Sequence, residues 1–137
     1  MDTPSNQSAG RLVELAEDEC WDLLATAPVG RLAWQGADGL SVVPVNFVAA
    51  DRRVVTNTAA YSAQARECDD NPVAFQVDAL DATARTGWSV LVRGVAHIDY
   101  TRDDAPGADP DVWPGGAKPL RLVVDPTSVT GRRLQPS

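Results

Sequence analysis

The feature that most constrains this chain is a succession of short segments with strand periodicity, which begins at Gly30 and is interrupted by turn residues. Val73 to Asp78 shows the pattern best, because every second side chain is apolar, as expected for a half-buried strand. Tight turns such as Gly36 to Gly39 link neighbouring segments, which favours antiparallel pairing. Six strands are predicted: Gly30–Trp34, Leu40–Val48, Val54–Thr58, Val73–Asp78, Trp88–Tyr100 and Leu120–Val124.

Two short helices accompany these strands. Glu17 to Ala27 begins with three acidic residues, which oppose the positive end of the helix dipole. Ser62 to Cys68 forms the second helix, with Ser62 as its N-cap. Pro44 lacks an N–H, so the strand that contains it lies at an edge or is bulged there. The predicted fold class is therefore mainly β (α+β), a six-stranded antiparallel barrel with a few short helices, since closure removes exposed edges.

Charge and length exclude several classes of protein. The chain has 137 residues and a formal net charge of −7, so it fits one domain and is repelled by nucleic acid. The expected limits are a tail over 1–12, a domain over 13–134 and a second tail over 135–137. Leu40 to Ala50 is the longest weakly polar run and is too short for a membrane span, which needs about 20 residues. We expect a soluble, cytoplasmic protein.

Neither a metal site nor a catalytic residue is predicted. Cys20 and Cys68 lie far apart, and the single histidine, His97, cannot complete a zinc site with them. Two reduced, partly buried thiols are expected instead. The sequence contains no Ser-His-Asp pattern and no Walker motif, which excludes hydrolase and NTPase activities of those types.

Several segments, taken in order, resemble the pyridoxamine 5′-phosphate oxidase-like family of FMN-binding split barrels, which are flavin or deazaflavin oxidoreductases. The resemblance covers nearly the whole chain after the N-terminal tail. It implies a six-stranded antiparallel split β-barrel that works as a homodimer, with two FMN sites in the dimer interface. The matching segments are Val29–Ala33, Pro44–Phe47, Val73–Asp78, Thr86–Ala96, Trp113–Gly115 and Val129–Leu134.

The resemblance also implies which residues approach the cofactor. The isoalloxazine ring is expected beside Pro44, Val45, Asn46 and Phe47. The ribityl chain and phosphate are expected at Thr56, Asn57, Thr58, Ser62, Ala63 and Arg66. Trp88, Ser89 and Trp113 are expected to reach the flavin from the partner subunit, although Trp88 is equally compatible with a place in the core.

The chain departs from the family where the phosphate is expected. Asn57 stands where a basic residue is common, Tyr61 where a glycine is common, and Ala63 where a lysine is common. A charged hydrogen bond contributes about 1.5–3 kcal/mol, so the loss of two weakens FMN binding by roughly a hundredfold or more. Arg66, one helical turn after Ser62, is a partial replacement for the lysine.

Three functions therefore stay open. The first is a flavin-dependent oxidoreductase-like protein that binds FMN or a related flavin at the dimer interface, with no side chain acting as acid or base. The second is a non-catalytic dimeric module that has lost the cofactor. The third is a protein that binds another planar cofactor such as haem, for which His97 offers little ligand supply. Exposed aromatic surface around Trp21 and Trp88 favours a homodimer in each case.

Overall fold

The structure, a computed structural model, describes residues 10–59, 62–100 and 120–136. Trp113, a predicted site residue, and Tyr61 lie outside these ranges. None of the helices within them has the length and apolar character that crossing a membrane requires. The elements are β1 (Arg11–Glu14), α1 (Glu17–Leu24), β2 (Val29–Gly36), β3 (Gly39–Ala50), β4 (Arg53–Thr58), α2 (Ala63–Cys68), β5 (Asn71–Asp81), β6 (Thr86–Asp99) and β7 (Leu120–Gln135).

All strand pairings are antiparallel, and they close a barrel. The order along the sheet is β1-β7-β4-β3-β2-β5-β6, and an additional pairing of β6 with β7 joins the two ends. β2 to β7 thus form a ring of six strands, and the predicted six-stranded antiparallel split barrel is confirmed. β1 adds a short seventh strand, which pairs with the end of β7 from Arg11↔Gln135 to Glu14↔Arg132. Arg11 and Leu12 are thereby paired with Gln135 and Leu134.

The barrel interior is filled by alternate side chains of the ring strands. Phe75 and Phe47 meet edge to face at its centre, with ring centroids 4.7 Å apart. Leu32, Val92 and Leu122 are fully buried around them. This arrangement follows from the strand period of two, which sends every second residue to the same side. The side chains between them form the outer face of the barrel.

Most observed elements differ in length from the predicted ones, and α1 and β7 show local reasons for the difference. α1 ends at Leu24, three residues before the predicted end, and Thr26 Oγ1 then donates to the carbonyl oxygen of Leu23 (2.7 Å) in a turn. β7 continues through Pro126, where the sequence predicted that the last strand had already ended at Val124. The proline is tolerated because the β6–β7 register shifts between Arg93 and Gly94, and Pro126 then faces Gly94.

Pro44 lies where the sequence predicted a local strand edge. On one side of β3, Pro44 is paired in register with Arg31 of β2. On the other side, the pairing of β3 with β4 begins only at Phe47, so no β4 partner requires an N–H from Pro44. The prediction that this strand is locally an edge is confirmed.

Glu67 fastens α2 to the β2–β3 hairpin. Its Oε1 accepts a hydrogen bond from Trp34 Nε1 (2.9 Å), and its Oε2 accepts one from the backbone N–H of Ala37 (2.9 Å). Both bonds favour the carboxylate, so they lower the pKa of Glu67, the Ala37 bond more than the Trp34 bond. The helix at the end of β4 is thereby held by an acid-sensitive contact.

We expect Glu67→Gln to destabilise the protein in a manner that depends on pH. The folded-state pKa is below the unfolded value, so the carboxylate contributes fully above about pH 5 and loses its contribution as pH falls below about 4. Urea unfolding of both proteins across this range should give a constant difference in free energy at neutral pH and a shrinking one in acid. A difference that grows on acidification would contradict the assignment.

The two cysteines are free and fully buried. Burial raises the pKa of both thiols, and raises that of Cys68 to about 12. Since the thiolate is the reactive form, we expect neither to react with Ellman's reagent in the native protein at pH 8. Denaturant should release two thiols per chain. Rapid labelling of the native protein would show that α1 or α2 opens readily.

Candidate functional site

Only half of the predicted ring-binding segment faces outwards. Val45 and Phe47 point into the core. Pro44 and Asn46 alternate with them and lie on the outer face of β3. A ligand beside this strand would therefore meet the side chains of Pro44 and Asn46 rather than all four residues.

The same alternation separates the three predicted residues of β4. Thr56 is 1% exposed and Thr58 6% exposed, and both share the inward face with Val54. Thr56 Oγ1 donates to the carbonyl oxygen of Asn46 (2.6 Å), which fixes β3 against β4 at this point. Asn57, between the two threonines, lies on the outer face. Of the three, it is the residue whose side chain is placed to meet a ligand.

Ser62 caps α2, as predicted, because its Oγ accepts a hydrogen bond from the backbone N–H of Ala65 (3.0 Å). The same oxygen lies 2.9 Å from Thr58 Oγ1, and either hydroxyl can donate to the other. Each hydroxyl can donate one proton, and only one of the two protons is needed for the hydrogen bond between Thr58 and Ser62. The other hydroxyl proton can therefore be donated to another acceptor. Ala63 and Arg66 are exposed on the helix beside this pair.

Four outward-facing polar side chains line up across the ends of β3, β4, β7 and β6. Asn57 pairs in register with Arg121, and Arg121 pairs with Asp99. Extending the β3–β4 register by one residue puts Asn46 opposite Asn57. We call Asn46, Asn57, Arg121 and Asp99 the polar row. It combines two amides, a guanidinium and a carboxylate at the end of the barrel that also carries Ser62.

Arg121 and Asp99 were not predicted as site residues from the sequence. Arg121 is only 4% exposed, and its Nη1 lies 3.9 Å from Asp99 Oδ2. One feature of the sequence could have identified Arg121 as a site residue, because it is a permanently charged residue within the otherwise apolar run Leu120–Val124. Its place beside Asn57 depends on the register of two strands more than 60 residues apart, which the sequence does not reveal.

Trp88 and Ser89 lie elsewhere on the barrel. Ser89 faces a groove of about 700 Å³ on the outer face of β2, β5 and β6, which Arg31, Arg93 and Arg132 also line. Three strand spacings separate Ser89 from Asn46, about 14 Å along the sheet. Trp88 is half-buried beside a second groove near Arg133. One chain therefore does not bring these two residues to the polar row.

The fold corresponds to a known group of proteins. Residues 16–133 match the pyridoxamine 5′-phosphate oxidase family. The uncharacterized protein Rv0080 of Mycobacterium tuberculosis is 35% identical to this chain, over 95% of this chain and 90% of its own length. The chain belongs to the pyridoxamine 5′-phosphate oxidase family.

Solved structures show the same barrel. The FAD binding protein of Mycobacterium smegmatis is 33% identical, with a TM-score of 0.72 over 91% of this chain and 100% of that chain. A conserved protein of unknown function from Corynebacterium diphtheriae is 28% identical, with a TM-score of 0.71 over 90% of this chain and 98% of that chain. These likenesses extend over the whole barrel rather than a single motif.

Proposed function

We propose that this chain binds a flavin nucleotide on the outer face of β3 and β4, with FMN as the expected form, and acts as a flavin-dependent oxidoreductase. The observation that carries the proposal is the polar row, two of whose residues, Asn46 and Asn57, are ones that the family resemblance predicts beside the flavin. Family membership supports it, as does the 33% identity with a protein known to bind FAD.

The side chains present suit such a ligand. Pro44 offers an apolar surface on the outer face of β3, and the amide of Asn46 can both donate to and accept from the polar edge of an isoalloxazine ring. Asn57, the spare proton of the Thr58–Ser62 pair and Arg121 provide donors for a phosphate. The donor set therefore matches a ring at β3 and an anion at the end of β4.

A bound flavin supplies hydride-transfer chemistry of its own, which leaves binding and orientation to the protein. Asn46 would set the position of the ring edge, because Thr56 Oγ1 holds its backbone carbonyl in place. The proposal assigns no general acid or base to the chain.

A flavin titration tests the proposal. We expect riboflavin, FMN and FAD each to show quenched or shifted flavin fluorescence on binding, with tighter binding of a phosphorylated form. Asn46→Ala should weaken riboflavin and FMN alike, by about two- to tenfold for one hydrogen bond. Gln35→Ala, on exposed β2 surface, is the control. No binding of any flavin by the wild-type chain would refute the proposal.

We further propose that the site is completed by a second copy of the chain. Trp88 and Ser89 lie three strands from Asn46 around the barrel of their own chain, about 14 Å along the sheet, so we expect them to reach its flavin only from a partner. The face that carries Ser89 suits such contact, because small residues Ala33 and Ala74 lie beside Val42, which is 64% exposed.

Val42→Arg tests the homodimer. A positive charge buried in the proposed interface beside Arg31 and Arg93 is costly, so we expect this variant to be monomeric in light scattering at concentrations where the wild type is dimeric. Val42→Thr keeps the shape without the charge and should remain dimeric. A monomeric wild-type protein at micromolar concentration would contradict the proposal.

The alternative function is a non-catalytic dimeric module that has lost the cofactor. Ala63 favours it, because this exposed position has no positive charge for a phosphate. The flavin titration decides between the two functions. A haem-binding protein would instead show a Soret band on addition of hemin. The sequence contains a single histidine, His97, which gives little ligand supply for a haem.

A further inference from the structure

Arg31 is the only ionisable residue on β2 and β3, and β3 is the strand on which the flavin ring is proposed to lie. β2 has the sequence VGRLAWQG, and β3 has no acidic, basic or histidine residue from Gly39 to Ala50. A guanidinium carries a permanent charge and presents its N–H donors in a planar fork. The electrostatic field at Pro44 and Asn46 therefore depends first on where the Arg31 side chain lies.

The pairing of β2 with β3 brings Arg31 next to Pro44. The backbone N–H of Phe47 donates to the carbonyl oxygen of Pro28 (3.1 Å), which makes these two residues a hydrogen-bonded pair. Hydrogen-bonded and non-hydrogen-bonded pairs alternate along an antiparallel ladder, so Arg31 and Pro44, three pairs further on, form a non-hydrogen-bonded pair. The Cα atoms of such a pair are about 4.5 Å apart, so these two exposed, outward-facing side chains are close neighbours.

Asp78 of β5 forms an ion pair with Arg31 on the same outer face. Arg31 Nη1 lies 3.7 Å from Asp78 Oδ1, and the two side chains are 55% and 31% exposed. An exposed ion pair at this distance contributes little to stability, because water screens both charges. The pair can therefore rearrange around a ligand, and a ligand that excludes water from Arg31 strengthens the interaction with its charge.

Two arginines on neighbouring strands lie further from the ring position. Arg93 is on β6, three strand spacings from Pro44 or about 14 Å along the sheet, which exceeds the Debye length of about 8 Å at physiological salt. Arg53 begins β4, and its Nε lies 3.1 Å from Asp125 Oδ1. Its register partner on β3 is Ala50, about 20 Å along the strand from Pro44. Of the cations on these strands, the one on β2 is therefore nearest to Pro44.

We propose that Arg31 raises the reduction potential of the bound flavin and that Asp78 lowers it. This inference rests on the proposed function, in which the ring lies beside Pro44 and its polar edge meets Asn46. An organic hydride donor gives the ring two electrons and one proton and is itself oxidised, so the ring gains one negative charge. A guanidinium at the polar edge stabilises that charge, and a carboxylate beside the guanidinium opposes it. Arg31 therefore favours the reduced ring over the oxidised ring.

The midpoint potential of bound FMN, measured by spectroelectrochemistry at one fixed pH, tests the proposal. We expect Arg31→Gln to lower the potential by about 15–30 mV, which for two electrons is about a three- to tenfold change in the equilibrium constant. Asp78→Asn should raise the potential by about 15 mV, or about threefold, because the opposing carboxylate is removed. Arg31→Lys keeps the charge and should give a potential between those of the wild type and Arg31→Gln.

The opposite signs of the two shifts are the decisive result. A purely structural ion pair predicts a similar loss of stability for Arg31→Gln and Asp78→Asn, and no opposed shifts in potential. Arg85→Gln, in the exposed turn between β5 and β6, controls for net charge and should leave the potential unchanged. Shifts of the same sign, no shift in Arg31→Gln, or a shift in Arg93→Gln alone would overturn the role of Arg31 while leaving flavin binding intact. A wild-type chain that binds no flavin would overturn both proposals.

Discussion

Replacing Phe75 with alanine is expected to destabilise the barrel by about 3–5 kcal/mol. Phe75 is fully buried and contacts Phe47 edge to face, so truncation leaves a cavity at the centre of the core. A loss of this size is a large part of the stability of a typical domain, about 5–15 kcal/mol. Urea unfolding at one fixed protein concentration measures it, because dimer formation would otherwise change the apparent stability.

Gly30 gives this prediction an internal control. A Cβ at Gly30 would lie 2.8 Å from Cε1 of Phe75 and closer still to Cζ, so Gly30→Ala should cost about 1–3 kcal/mol in the wild type. In the Phe75→Ala background the obstructing ring is absent, and the same change should be nearly neutral. Phe75→Leu serves if Phe75→Ala does not fold. An equal cost of Gly30→Ala in both backgrounds would contradict the observed packing.

Introducing lysine at Ala63 is expected to strengthen FMN binding by about tenfold. Ala63 is exposed at the start of α2, next to the Ser62 hydroxyl, where the resemblance predicts a phosphate-binding lysine. We choose the low end of the range for a charged hydrogen bond because water screens the new charge. Fluorescence titration with FMN and riboflavin measures the change.

Two controls make the Ala63→Lys result specific. Ala63→Gln adds length without charge and should leave FMN affinity nearly unchanged. Riboflavin affinity should be the same in all three proteins, because riboflavin has no phosphate. A gain for riboflavin equal to the gain for FMN would mean that the lysine acts on the ring or on the fold, and a lack of any gain would place the phosphate elsewhere.

The sequence predicted the barrel well because strand periodicity is a local property. Alternation in segments such as Val73–Asp78 and the turn at Gly36–Gly39 identified the strands, and Ser62 was identified as a cap from its residue type. The same alternation already implied that Thr56 and Thr58 share the inward face of Val54. The predicted site included all three residues from Thr56 to Thr58, of which only Asn57 lies on the outer face.

What the sequence could not provide depends on contacts between distant segments. The closure of β6 on β7 and the place of Arg121 beside Asn57 follow from strand register, which is set by the packed core and by a bulge at Gly94. The length of β7 was underestimated because Pro126 is typical of a strand end, and only the register shift opposite it makes room for a proline.

In the proposed complex, two copies of this chain hold flavin between the outer face of β3 and β4 of one copy and the β6 strand of the other. Native mass spectrometry of the purified protein after incubation with excess FMN measures both parts together. We expect a species with two chains and two flavins. A protein that remains free of flavin under these conditions, whether monomer or dimer, would contradict it.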